Sequence, residues 1–157
     1  MSRAFTRESD NDDALADIGE RPVSPHRNLV TATGLAAIEA ELADLRTRLA
    51  VAEQEADRAA IASLSRDLRY WRARRESAEL SVPEPMSEVV RFGMDVTLES
   101  ADGKRVSWRI VGEDEADAKL GMISHVSPMA RALFGKGVGD TVAVGGREWE
   151  IVGLSAG

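Results

Sequence analysis

A chain of 157 residues has room for one ordinary domain or two small ones, and is too short for a large multidomain enzyme. Charged residues make up 30%, hydrophobic ones 43% and aromatics only 4%, a balance that favours long helices rich in Ala, Leu, Glu and Arg over a uniformly packed β-protein. Lys and Arg number 20 against 27 Asp and Glu, so the net charge of −7 argues against a broad basic face for duplex DNA and leaves any nucleic-acid link indirect. The chain has no Cys and only His26 and His125, which removes disulfides, thiol nucleophiles and the usual zinc ligand sets. No apolar run approaches the roughly 18 residues of a membrane-spanning helix, and the opening MSRAFTRESDNDD lacks the apolar core of a signal peptide. A cytoplasmic protein with no membrane partner is the expectation.

Residues 1–29 are polar and acidic, with Pro22 and Pro25 and no apolar period, and are expected to form a mobile tail. From Thr33, read as an N-cap, the texture becomes periodic. Leu35, Ile38, Leu42, Leu45, Leu49, Ala52 and Ala56 step by three and four, as a helix does when one seam faces a partner. A second such seam runs through Ile61, Leu64, Leu68, Trp71, Arg75 and Ala78 and ends before Pro83 and Pro85. Two seams separated by a few residues near 57–60 predict an antiparallel coiled-coil hairpin over residues 30–82. Folding about position 58 sets bulky residues toward the base and alanines toward the tip. About 22 residues per arm at ~1.5 Å rise give a length on the order of 33 Å.

After Met86 the period changes to two. Residues 94–99, a turn holding Asp102 and Gly103, and residues 106–111 predict a β-hairpin; residues 141–144, Gly145-Gly146 and residues 148–152 predict a second. Between them lie a short strand at 122–126 and a helical stretch at 129–134, with Ser127 as N-cap, Pro128 opening the helix and Gly135 ending it. The fold class is therefore α+β. A helical hairpin precedes a small antiparallel sheet domain, residues 83–157, that carries one short helix.

Little in this sequence resembles an active site. The run GKGVG at 135–139 lacks the spacing of a phosphate loop and reads as a turn. GxSxG is absent, and His125 sits in an alternating stretch where a structural role is expected. Glu113, Asp114, Glu115 and Asp117 lack the ligand spacing of a calcium loop and read as a solvated, self-repelling segment. Arg66, Arg69, Arg72, Arg74 and Arg75 form a basic stripe on the second arm, expected to pair with Glu39, Glu41 and Asp44 opposite. Glu53, Glu55 and Asp57 gather near the tip, where exposed carboxylates are of the kind that hold a magnesium ion jointly with a partner's own carboxylates. Trp108 and Trp149, one on each β-hairpin, read as core or half-buried cross-strand residues.

The runs WRIVGEDEAD at 108–117, Ile123-Ser124, SPMARALFG at 127–135 and Gly139-Asp140, following a helical hairpin, resemble the C-terminal domain of the GreA/GreB transcript cleavage factors. The resemblance spans residues from about 30 to 154 and suggests a short-hairpin, Gre-like member. It implies an FKBP-like fold for residues 83–157, docking on the rim of the secondary channel of bacterial RNA polymerase core, and a hairpin that enters the channel. It implies no active site of the chain's own. In that family two acids at the tip help bind the polymerase's second catalytic magnesium, and the polymerase itself hydrolyses the backtracked transcript. The family's tip motif, D-L-(S/K)-E-N-A-E-Y, has no counterpart in Val51–Leu68 (VAEQEADRAAIASLSRDL), and the hairpin is shorter than usual. Fold and docking thus carry over further than cleavage does, and Glu53, Glu55 and Asp57 stand as tip candidates for a shared magnesium. The implied docking corner is Ser127, Pro128, Met129, Ala130 and Arg131. Pro128 pre-forms the turn, Met129 offers an adaptable apolar contact, and Arg131 offers a fork for a carboxylate. The rival readings are a non-cleaving channel occluder, like the regulators of nucleoside diphosphate kinase, an FKBP-type isomerase, and a structural adaptor. An isomerase needs an aromatic-lined pocket, for which this domain offers only Phe92, Trp108, Phe134 and Trp149. A monomer is expected.

Overall fold

The computed structural model describes residues 19–157, and the chain divides into two compact units. Among the described residues, one unit holds 19–25 together with 37–77; the other holds 26–36 together with 78–157. The tail expected at 1–29 lies outside the described residues as far as 18. From 19 onward that expectation is corrected: Glu20 and Arg21 have partners on the second long helix, and Asn28 is buried.

Helix α1 spans Ala32–Gln54, from residue 37 onward in the first unit, and helix α2 of that unit spans Arg58–Ser77. The hairpin is antiparallel, because Glu39 near the start of α1 receives the Arg75 Nε–H near the end of α2 at 3.0 Å. Ile38, Leu42, Leu45 and Ala52 of α1, and Leu64 and Leu68 of α2, are buried, as the 3-4 stepping requires. At the last turn of α2 the buried residue is Arg74, whereas Arg75 stays exposed on Glu39; at the flank of a seam an arginine stem covers apolar surface while its head keeps water and a carboxylate. The N-cap of α1 is Thr31 and not Thr33: its Oγ1 accepts the Gly34 N–H at 3.0 Å and its carbonyl accepts the Leu35 N–H at 2.9 Å.

The second unit is built on a five-stranded sheet. Its strands are β3 (Asp95–Ser100), β4 (Arg105–Val111), β5 (Met122–Ser124), β6 (Thr141–Val144) and β7 (Arg147–Ser155), in the order β5-β4-β3-β7-β6. The expectation of a wholly antiparallel sheet is corrected at one edge. β5 runs parallel to β4, with Arg109 opposite Met122, Ile110 opposite Ile123 and Val111 opposite Ser124. The intervening residues turn through two short 3₁₀ helices, Glu113–Glu115 and Ala118–Leu120, and so return the chain in its original direction. A register shift between Thr97 and Leu98 marks the β3–β7 pairing. The β6–β7 turn is Gly145-Gly146 with φ of 62° and 75°, the left-handed pair that a two-residue hairpin demands and that glycine adopts without strain.

Helix α3, Pro128–Leu133, packs Ala130 and Leu133 into a core that also holds Val90, Phe92, Val96, Leu98, Ile110, Trp149 and Ile151. The alternation of β3, in which Val96, Leu98 and Ser100 are buried and their neighbours half-exposed, is that of a strand with one face on the core. A second, two-stranded parallel pair joins β1 (Leu29–Val30) to β2 (Glu79–Leu80). Strands of two residues have no period to read, and this pair was not foreseen.

Candidate functional site

The tip of the hairpin is a three-residue turn. At the end of α1 the Ala56 N–H reaches the Glu53 carbonyl at 3.2 Å and the Asp57 N–H reaches the Ala52 carbonyl at 3.0 Å, with Ala56 at φ 52°. That is the Schellman pattern of helix ends, with alanine in the left-handed position where glycine is favoured. Asp57 then starts α2: its Oδ1 accepts the Ala60 N–H at 3.1 Å, and its carbonyl accepts the Ile61 N–H. Of the three candidate tip acids, all exposed, Asp57 is thus engaged as an N-cap, while Glu53 and Glu55 lie on the last turn of α1 and just past it. Among the described residues no three His, Asp or Glu side chains gather into a metal-ligand set, the tip acids included.

The basic stripe of α2 is satisfied differently from expectation. Arg75 pairs with an acid opposite, Glu39. Arg69 turns to Glu20, Arg66 to its neighbour Asp67, and Asp44 is taken by Arg48 of its own helix. The Arg69 hydrogen bond, helped by the charges of Arg69 and Arg66, holds the Glu20 carboxyl below its ordinary range against some desolvation.

In the second unit the corner at 127–131 is a helix start. Ser127 Oγ accepts the Ala130 N–H at 3.2 Å, and Pro128 occupies the first turn, where its missing N–H has no cost. Pro128 and Arg131 are exposed, Met129 is half-buried against the core, and Ala130 is fully buried. Ala130 therefore leaves the expected docking set: an alanine of zero exposure holds the helix to the sheet and offers no surface. His125 is buried and meets the edge of Phe92, ring centres 5.6 Å apart, which is the structural role expected of it.

Sequence reasoning missed Glu115. Its carboxylate accepts the N–H groups of Thr31 at 3.2 Å and Gly112 at 3.1 Å, and the Thr31 hydroxyl donates to it as well. A negative charge thus sits on the first turn of α1, where unsatisfied N–H groups and the helix dipole favour it. Glycine makes room for it. A Cβ at Gly34 would lie 2.1 Å from the Glu115 Cδ, and one at Gly112 would lie 2.5 Å from the Leu29 carbonyl oxygen. The two absent side chains were the only sequence signal. Beside Glu115 lies a cavity of about 270 Å³ lined by Thr31, Thr33, Pro83, Arg109, Val111 and Met122 among others, none of them aromatic. Arg109 is held there by Asp95 through two bonds of 2.9 Å, which raises its pKa. Phe92 and Trp149 belong to the core, and Trp108 and Phe134 pack against it. Among the described residues no helix is long and apolar enough to cross a membrane.

Comparison with known proteins places these features. Residues 85–155 match the family described as "Transcription elongation factor, GreA/GreB, C-term". The transcription elongation factor GreA of Methylobacterium nodulans is 37% identical over 150 aligned positions, covering 80% of this chain and 95% of that protein. GreA of a Bradyrhizobium species is 36% identical over 146 positions, covering 78% and 92%. Since 80% of 157 residues fill 150 aligned positions, the relative carries residues with no counterpart here. Among solved structures, the GreA factor homolog 1 (Gfh1) of Thermus thermophilus aligns over 82% of this chain and 99% of its own at 25% identity, with a TM-score of 0.41.

Proposed function

The chain belongs to the GreA/GreB family of transcription elongation factors, and from that premise we propose that it binds bacterial RNA polymerase core through its sheet domain and places the helical hairpin in the polymerase's secondary channel. It acts as a monomer in the cytoplasm, has no catalytic centre of its own, and meets nucleic acid only through the polymerase. The observation that carries this reading is the pairing of near-complete coverage of a GreA relative with a hairpin that closes in a three-residue turn flanked by exposed carboxylates. The docking contacts fall to Pro128, Met129 and Arg131. Pro128 and Arg131 stand exposed on a helix start stiffened by Ser127 and anchored from below by Ala130 and Leu133. A guanidinium in that place pairs with a carboxylate in two-pronged fashion.

Within this reading, occupation of the channel without stimulated cleavage is favoured. Val51–Leu68 lacks the family's tip motif, and Asp57 is committed to a helix cap. Two measurements test the proposal. Binding to polymerase core should fall at least about tenfold in Arg131→Glu, the loss of one charge-assisted pair; unchanged binding would remove the docking corner. Added to a backtracked elongation complex, the protein should leave transcript shortening at its intrinsic rate. Acceleration that Glu53→Gln with Glu55→Gln abolishes would replace occlusion by cleavage stimulation. Both substitutions leave the Asp57 cap intact.

A further inference from the structure

Glu20 and Arg21 lie against α2. Glu20 accepts the Arg69 Nε–H at 2.9 and 3.0 Å through its two oxygens. Arg21 stacks its guanidinium 3.9 Å from the centre of the Tyr70 ring and 5.8 Å from that of Trp71, and reaches Asp67 at 3.4 Å. Tyr70 and Trp71 meet edge to face at 5.1 Å. The charges alternate in register, acid on base and then base on acid, so the contact is specific. Pro22 and Pro25 fix φ and supply no N–H, which keeps the segment out of helix.

Arg, Tyr and Trp are the residue types that most often anchor protein interfaces; here Tyr70 and Trp71 are half-buried with the Arg21 guanidinium over both rings, and Arg69, itself exposed, is engaged by Glu20. The cover is light. Its contacts include the exposed Arg69–Glu20 pair, the part-buried Arg21–Asp67 pair and the Arg21 cation–π contacts with Tyr70 and Trp71, each weak and, for the pairs, screened by salt. Such an element opens at little cost.

We propose that residues 19–25 are an autoinhibitory strap that occupies the Arg69–Tyr70–Trp71 face of α2, and that the polymerase engages the hairpin in its unstrapped state. This rests on the polymerase-binding reading above and adds regulation to it. A ligand that binds only the open state has its affinity reduced by the open fraction, so a strap closed a few-fold over open weakens polymerase binding by about fivefold.

The test compares the full chain with Glu20→Lys, with Arg21→Ala and with a chain lacking residues 1–25, at low and high salt. Strap release is read from the Trp71 indole resonance, and affinity from titration with polymerase core. Released variants are expected to shift the Trp71 signal and to bind about fivefold tighter at low salt, the gap closing at high salt as the full chain opens. A shifted Trp71 signal with equal or weaker binding overturns the strap alone. If no chain binds, the full chain included, the polymerase reading falls and the strap's regulatory role falls with it.

Discussion

The helical hairpin and the sheet domain differ in whether any apolar residue is sealed completely. In the sheet domain Val90, Val96, Leu98, Ile110, Ala130, Leu133 and Ile151 are at 0% exposure, with Phe92, Val142 and Trp149 at 6 to 7%, whereas the hairpin's seam runs from Leu45 at 1% and Ile38 at 2% to Leu64 at 8% and seals none at 0%. A sheet with a helix on one face closes a core in two layers. A pair of helices has one seam and no second layer. The hairpin must therefore draw its stability from helix propensity, end caps and exposed ion pairs, and the domain from packing. One unit is suited to presenting a stiff polar rod, the other to presenting a fixed corner.

Truncation in each unit measures that difference. Leu98→Ala should cost about 3–4 kcal/mol, because a core closed on all sides keeps the cavity. Leu45→Ala, in the seam at 1% exposure, should cost about 2–3 kcal/mol, since two helices can close partly over the gap. Amide hydrogen exchange at β3 and α1 reads the two effects separately, and equal costs would break the comparison. Glu115→Ala should cost about 1–2 kcal/mol, seen as faster exchange in the first turn of α1, because it strips a carboxylate from the Thr31 and Gly112 N–H groups. Ala56→Gly should stabilise the hairpin by about 1 kcal/mol, by removing the left-handed strain of the tip, and should raise its midpoint in urea.

The smallest effect is electrostatic. The Glu20 carboxyl sits below its ordinary 4.5 through its Arg69 hydrogen bond. A lowered folded-state value means that the contact is fully present above 4.5 and is lost as pH falls through the lower folded value. The Trp71 resonance should therefore move on acidification below 4.5 in the native chain and stay still in Glu20→Gln. Motion in both would assign the change elsewhere.

Much of this architecture was legible in the residues. The 3-4 stepping at Ile38, Leu42, Leu45, Leu64 and Leu68 marked the seam, and Ser127-Pro128 marked the start of α3. Gly145-Gly146 marked a hairpin turn. Each is a local signal, carried by period or by backbone preference within a few residues. The candidate site was legible only in part. The tip acids and the corner could be located, but the capping role of Asp57 and the burial of Ala130 depend on which way a helix start faces.

Local chemistry determined the two-part α+β plan, the start of α3 and the hairpin turns, because propensity and hydrophobic period act over neighbouring residues. Tertiary structure alone decided the parallel pairing of β5, the seat of Glu115 on Thr31 across 84 positions, and the strap of Glu20 and Arg21 on α2 across nearly fifty. Each is selected by the geometry of the folded whole and leaves no repeating pattern at either end. The physical reason is range: a period repeats and can be counted, whereas a single long-range contact occurs once.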